Sequence, residues 1–240
     1  ENTTALLVLP LASGQNLSAL VFAQMTGEAR FGFNELEIAK TITNQATVAL
    51  ENARLFQLSV RTADRFSILN ETSSLVNSSL NPEDVYMAAR KAAERLVPLD
   101  SFVITLLDVE KNEIEPAYMV DRGRRIMAER VPFGKGMSSQ VIASGKPILT
   151  STLEQASSMN TVQAGEGDDE ETRSIVAVPM ALGGKTLGML SAQSYQEGMY
   201  TEEDVQILGT LANQVIVAIQ NGRLFAETQS LASQFEKRVI

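Results

Sequence analysis

Gly184-Lys185-Thr186 carries the glycine, ammonium and hydroxyl that close a phosphate-binding loop. Such a loop needs another glycine five positions earlier and a strand-to-helix setting; position 179 is Pro and both flanks read as strands, so a hairpin turn is expected. Gly134-Lys135-Gly136 lies between a predicted strand and a short helix. Its backbone N–H groups either face an anion at the helix N-terminus, or the glycines supply the positive φ of a tight turn. Asp168, Asp169, Glu170 and Glu171 offer oxygens for Ca²⁺ or Mg²⁺ without the alternating spacing of an EF-hand loop, and read as a solvated loop. Arg122, Arg124, Arg125 and Arg130 either meet an anionic ligand or pair with neighbouring acids. Against these motifs stand two zeros: the 240 residues include no Cys and no His. Thiolate nucleophiles, imidazole bases, disulfides, Cys/His zinc sites and histidine haem ligands are thereby removed. A Ser–Lys arrangement remains formally open without a supporting motif. No catalytic residue, metal ligand or cofactor is assigned, and the chain is expected not to be an enzyme.

Lys and Arg number 20 against 29 Asp and Glu, a net charge of −9, which disfavours a polyanionic partner such as nucleic acid. Apolar residues make up 44%, ample for a packed core. No stretch nears the roughly 20 apolar residues of a membrane helix, and no secretory signal is visible, so no membrane contact and a cytoplasmic location are expected. Beginning at Glu1, the sequence reads as an excised piece, and an anchor elsewhere in a parent chain stays open.

The elements that must position these residues are organised by an internal repeat. Pro10 falls on Pro179, an offset of 169, and the segment 5–56 then lies ungapped on 174–225. About 16 of roughly 52 positions are identical, against about one in fifteen to twenty for unrelated chains. Asn44, Gln45 and Ala49 match Asn213, Gln214 and Ala218; Asn52, Arg54, Leu55 and Phe56 return as Asn221, Arg223, Leu224 and Phe225. One period of this length fits one whole copy and part of another.

From Phe33 to Asn81 there is neither Gly nor Pro, and most of this stretch reads as one helix. Ile38, Ile42, Ala46, Ala49, Ala53, Phe56, Val60 and Ala63 alternate steps of four and three, an a/d seam that resumes as Phe66, Leu69, Ser73, Val76 and Leu80 after one short step. Ile38 to Ala49 is expected to pack on its own domain's sheet; beyond Phe56 a partner helix is the expected cover. Asn81-Pro82-Glu83-Asp84 opens a helix that Pro98 closes. Strands are expected at 101–107, 113–120, 126–133 and 146–150, a short helix at 137–144, and irregular structure over 152–172. A hairpin pairs 174–181 with 186–194, and Thr201-Glu202-Glu203-Asp204 caps a last helix. Phe102 to Leu107 is apolar on both alternating faces, so that strand should be central, with helices on one side and a lid or pocket on the other.

In this order and spacing the elements resemble a GAF domain. The resemblance rests on Phe102 to Asp108; on Phe133-Gly134-Lys135-Gly136-Met137 with Val141, Gly145 and Pro147; and on Ser174 to Met180 with Gly188-Met189-Leu190. It closes on Tyr200 to Asp204, Leu211-Ala212, Gln214 and Asn221. It implies an α+β fold: an antiparallel sheet of about six strands, terminal helices on one face, and a ligand pocket on the other. It divides the chain into the C-terminal part of a first domain (1–57), a coiled-coil-like connector (58–80), a complete second domain (81–225) and the start of another connector (226–240). It implies a non-enzymatic sensory or regulatory module of a signalling protein that binds a small molecule reversibly. The pocket would involve Phe133, Met137, Ser138, Thr150, Arg173 and Val176. A homodimer is implied through Ala49, Ala53, Phe56, Val60 and Phe225, acting on an output domain outside this segment. Within the family, bilin carriers and sulfoxide reductases need Cys and haem carriers usually His, so none of those cofactors is expected. The cyclic-nucleotide pattern is met only by Tyr200 and Asp204, with Val205 in place of its Glu. The alternative is a structural dimerisation module whose pocket is filled by Met119, Phe133, Met137, Ile148, Val176 and Met189.

Overall fold

The computed structural model describes residues 3–13, 16–27, 30–159 and 171–239, which divide into one unit ending at Asp64 and another beginning at Arg65. In the first, β1 (Thr3–Ser13) and β2 (Asn16–Thr26) form an antiparallel hairpin with Pro10 opposite Leu20 and Leu9 opposite Val21. No third strand joins it among the described residues, and Leu6 and Phe22 are 60% and 63% exposed. The Gly- and Pro-free run forms α1 (Phe33–Ser78). Its inward side in the first unit is not the expected one: Ile38 and Ile42 are each 60% exposed, while Thr43 is buried and Ala39 and Ala46 half-buried. Two strands offer too little surface to cover the larger side chains, and the helix turns its small residues inward instead. Ala49, Ala53, Phe56 and Val60 are exposed.

The second unit takes the rest of α1, where Leu69 is buried in the core with Ile68 packed beside it, and Arg65 pairs with Glu203 and Asp204. The expectation that only a partner helix covers this stretch is therefore corrected for Ile68 and Leu69; Phe66 stays exposed, and the side chains of Ser73 and Val76 lie outside the described residues. α2 (Pro82–Leu96) starts at Asn81, whose side chain accepts the Glu83 N–H, with Pro at the first position where no intrahelical donor is needed.

Then follow β3 (Ser101–Asp108), β4 (Glu113–Asp121), β5 (Arg124–Ile126), β6 (Val131–Pro132), α3 (Gly136–Ser144), β7 (Ile148–Thr150), α4 (Leu153–Ser157), β8 (Ser174–Leu182), β9 (Lys185–Ser194) and α5 (Glu202–Val239). The strand expected over 126–133 is broken into β5 and β6, both on β4, and part of the stretch expected to be irregular forms α4. All strands pair antiparallel in the order β5-β4-β3-β9-β8-β7, with β6 off this path. β3 is interior. Phe102, Ile104 and Leu106 enter a core with α2 and α5; Val103 and Leu107 point to a second core under α3 and α4. Gly222 of α5 lies against the chain's entry, where a Cβ would stand 2.9 Å from the Leu80 carbonyl oxygen.

The two hairpins carry one register displaced by the repeat offset. Pro179 faces Met189 and Val178 faces Leu190; the irregularity between Leu11 and Ala12 returns between Met180 and Ala181; and α1 and α5 start at positions 33 and 202.

Candidate functional site

The second face of the seven-stranded sheet is where a strand apolar on both sides, a glycine turn and a short helix converge. Gly134 and Gly136 have φ of 115° and 77°, which supports the tight-turn reading of this motif. The turn is tied down by the Phe133 N–H donating to the Asn112 carbonyl (2.9 Å) and the Gly134 N–H donating to Ser139 Oγ (3.0 Å). It aims α3 so that Met137, Val141 and Ile142 face the sheet. α4 starts at Thr152, whose hydroxyl oxygen accepts the Gln155 N–H, and seals the edge with Ala156. Beneath these lie Val103, Ile114, Met119, Ile175, Ala177 and Met189.

Thr105 belongs to this layer by alternation, between Val103 and Leu107 and opposite Met189. It is 5% exposed, and its Oγ1 has no hydrogen-bond partner among the described residues. Burying a hydroxyl uncompensated costs about 1–3 kcal/mol, and native cores seldom accept that without a reason. The signal for it in the sequence is a single hydroxyl within the otherwise apolar run 102–107.

Of the expected pocket residues, Phe133 and Met137 belong to this layer. Ser138 is half-buried in the first turn of α3. Thr150 is buried on β7, but its Oγ1 already accepts the Ile175 N–H at 3.0 Å. Arg173 is exposed, its N–H donating to the Ser194 carbonyl. Val176 does not belong: it is fully buried in the opposite core with Val178 and Met180, while Ile175 and Ala177 face this one. A strand's period of two makes that assignment a one-residue parity error.

A concavity of about 290 Å³ opens elsewhere, at the β3–β4 end, lined by Arg90, Glu94, Leu99, Asp100, Phe102, Val120, Arg122 and Gly123. Its polar groups are engaged with one another. Asp100 Oδ2 accepts from Ser194 Oγ (2.6 Å) and the Tyr195 N–H (3.0 Å), Tyr195 donates its hydroxyl proton to Asp121 (2.7 Å), and Arg122 lies over the Tyr195 ring at 4.5 Å. Burial, with the Asp121 bond behind it, pushes the Tyr195 hydroxyl well above the usual tyrosine range.

The remaining motifs resolve locally. Gly183 and Gly184, with φ of 59° and 78°, make the two-residue turn between β8 and β9, so Gly184-Lys185-Thr186 is a hairpin. Arg130 pairs with Asp108 (2.8 Å) and Glu115 (2.9 Å); Arg125 stacks over Tyr118 at 3.9 Å and lies 3.6 Å from Glu83. Asp168, Asp169 and Glu170 lie outside the described residues. Among the described residues no cluster of acids could hold a metal ion, and no helix is long and apolar enough to cross a membrane.

Comparison with known proteins bears on this arrangement. The chain is 20% identical over 207 residues to the formate hydrogenlyase transcriptional activator FhlA of Escherichia coli, covering 83% of this chain and 30% of that protein. It is 24% identical over 204 residues to the circadian input-output histidine kinase CikA of Synechocystis sp., covering 74% of this chain and 27% of that one. The chain thus spans less than a third of either relative. Among solved structures, the free methionine-R-sulfoxide reductase from Neisseria meningitidis in complex with its substrate superposes with a TM-score of 0.53 at 20% identity, over 67% of this chain and 90% of that one. That similarity overturns the expectation of a non-enzyme: the same fold supports a reductase, so it does not exclude catalysis, and the missing Cys bears only on cysteine chemistry. The model of the GAF domain matches residues 79–220, more than half of the sequence, and the chain belongs to the GAF domain family.

Proposed function

We propose that the chain is a sensory or regulatory GAF module of a cytoplasmic signalling protein. In this reading it takes up a small molecule reversibly beneath α3 and passes occupancy, as a homodimer, through its helical connectors to an output domain. The observation that carries ligand binding is the Thr105 hydroxyl, buried and without a partner among the described residues on the lid side of the central strand. An incoming polar group would satisfy it, and the thioethers of Met119, Met137 and Met189 are adaptable enough to move aside. Phe133, Met137, Ser138 and Thr150 are the proposed surroundings, with Arg173 at the rim and Thr105 replacing Val176. FhlA is a transcriptional activator and CikA a histidine kinase, which supports a role in signal transduction. The shared register of the two hairpins supports reading 1–57 as part of a first GAF copy, 58–80 as connector, 81–225 as the second domain and 226–240 as the next connector. Transmission requires that the ligand bind two connector arrangements unequally, and the phase slip near Ala63 is the proposed pivot.

The same methionines favour a second reading, a packing block whose second core is filled by its own side chains. Thermal shift against a metabolite panel separates the two, using the wild type and Thr105→Val. On the sensor reading a compound raises the wild-type Tm and loses most of that effect in the variant. A panel without any shift, together with a variant of higher Tm, leaves the packing block.

A further inference from the structure

Two residues other than glycine have positive φ among the described residues, Asn112 at 53° and Arg122 at 44°. Asparagine tolerates that region, whereas arginine has no local bond to gain in it. Arg122 and Gly123 form the two-residue loop between β4 and β5, closed by Asp121 opposite Arg124. A hairpin loop with positive φ at both central positions favours Asn-Gly, so the first place in this one is filled against the backbone's preference. Unfavourable backbone that the surroundings hold in place is a pointer to function, and here it belongs to a residue lining a concavity.

That concavity lies on the helical face of the sheet, not beneath α3. Phe102 and Val120, which line it, belong to the core shared with α2 and α5, and Leu99 packs against the same core. Around this apolar floor stand two cations and two carboxylates, Arg90 and Arg122, Glu94 and Asp100. Arg90 pairs with Glu94 at 2.5 Å, Arg122 lies over the Tyr195 ring, and the Arg122 N–H donates to the Asp100 carbonyl at 2.9 Å. Ser194 and Tyr195 both donate to one oxygen of Asp100, Oδ2. These contacts fix the charged groups around the space without filling it, since about 290 Å³ remains open. That is roughly the share of ten water molecules at about 30 Å³ each, room for a small metabolite. A ligand of one sign would be opposed there by two like charges, while two charges of each sign suit a molecule that carries both.

We infer that this concavity binds a free α-amino acid with an apolar side chain. The ligand carboxylate accepts from the guanidinium groups of Arg90 and Arg122, its ammonium donates to Glu94 and Asp100, and its side chain lies on Phe102 and Val120. The site is separate from the one proposed beneath α3 and does not depend on it.

Titration calorimetry on the full chain with L-leucine, isopentylamine and 4-methylpentanoate tests this, because the last two are leucine without its carboxylate and without its ammonium. Leucine should bind saturably and each of the others at least tenfold more weakly. Arg122→Gly puts the residue that the turn prefers at position 122, so its Tm should be unchanged or higher while leucine affinity falls at least tenfold. Arg90→Gln should weaken leucine as well, and Lys185→Ala, at the opposite end of β9 from Ser194, should leave it unaltered. Absence of saturable leucine binding at millimolar concentration, or equal binding of the three probes, overturns the assignment. So does a lowered Tm for Arg122→Gly, which would make Arg122 a packing residue of its turn. Leucine binding that survives Arg122→Gly but is lost in Thr105→Val would place the ligand beneath α3 and overturn this site while supporting the other.

Discussion

Thr105 is the residue whose placement most needs explaining. Its hydroxyl has no hydrogen-bond partner among the described residues, so Thr105→Val removes the unmet donor at nearly constant shape. Urea denaturation should find the variant about 1 kcal/mol more stable in the absence of ligand; a loss of stability would mean the hydroxyl is satisfied in solution. Opposite in sign is Gly188 on β9, where a Cβ would stand 2.4 Å from the Thr105 carbonyl oxygen, inside van der Waals contact with backbone that cannot give way. Gly188→Ala should cost about 1–3 kcal/mol in the same assay. The titratable groups make a further expectation. Tyr195 and Tyr200 are both pushed up, chiefly by burial, and so keep their protons longer in the folded state. A raised folded value contributes stability that is whole below the unfolded value near 10 and is lost as pH rises through the folded one. Asp108 is held low by the Lys111 N–H and by Arg130, so its contribution is lost as pH falls below the carboxylate range. With no His between these limits, the urea midpoint should be flat from about pH 6 to 8 and fall above about pH 10; a step near pH 6.5 would contradict this account. The Val176 error belongs to this scale too. Hydrophobicity marks a buried strand residue but not its face, because β8 is buried on both sides and parity alone decides.

Among the elements, the best marked in the sequence are those whose ends carry their own chemistry. Asn81-Pro82 at α2 and Thr201 to Asp204 at α5 are caps that depend on neighbouring residues only. Asp204 accepts from both the Thr201 N–H (2.9 Å) and hydroxyl (2.8 Å), and it also meets Arg65. Asp204→Ala should therefore destabilise the second unit by about 1–2 kcal/mol, more than Asn81→Ala at about 1 kcal/mol, when both are compared by chemical denaturation. The glycine turns at 134–136 and 183–184 were legible for the same reason. β5, β6 and α4 were not: three, two and five residues long, they are held by pairing to β4 or by the α4 cap and Ala156, and their local sequence has no period long enough to read. The orientation of α1 was illegible for another reason. A helix with apolar residues on several sides can pack along any of them, and what it finds to pack against decides.

For the molecule as a whole, the contrast is between a sheet covered on both faces and a hairpin with one face exposed and the other only partly covered. Amides of β3 and β9 should exchange slowest, near the global unfolding limit, and those of β1 and β2 orders of magnitude faster. Hydrogen exchange followed by mass spectrometry reads this directly, and comparable protection in both would mean that the hairpin is covered in solution. The placement of Gly222 against Leu80 has a mechanical consequence. The chain enters and leaves the second unit at neighbouring points, so tension applied along the connectors does not run through the strands. Pulled from positions 65 and 225 in an optical trap, the entering and leaving helices should part first, at low force and from one end like a zipper. The strands of the sheet would come under load only afterwards, leaving whatever lies beneath α3 shielded from forces carried by the connectors.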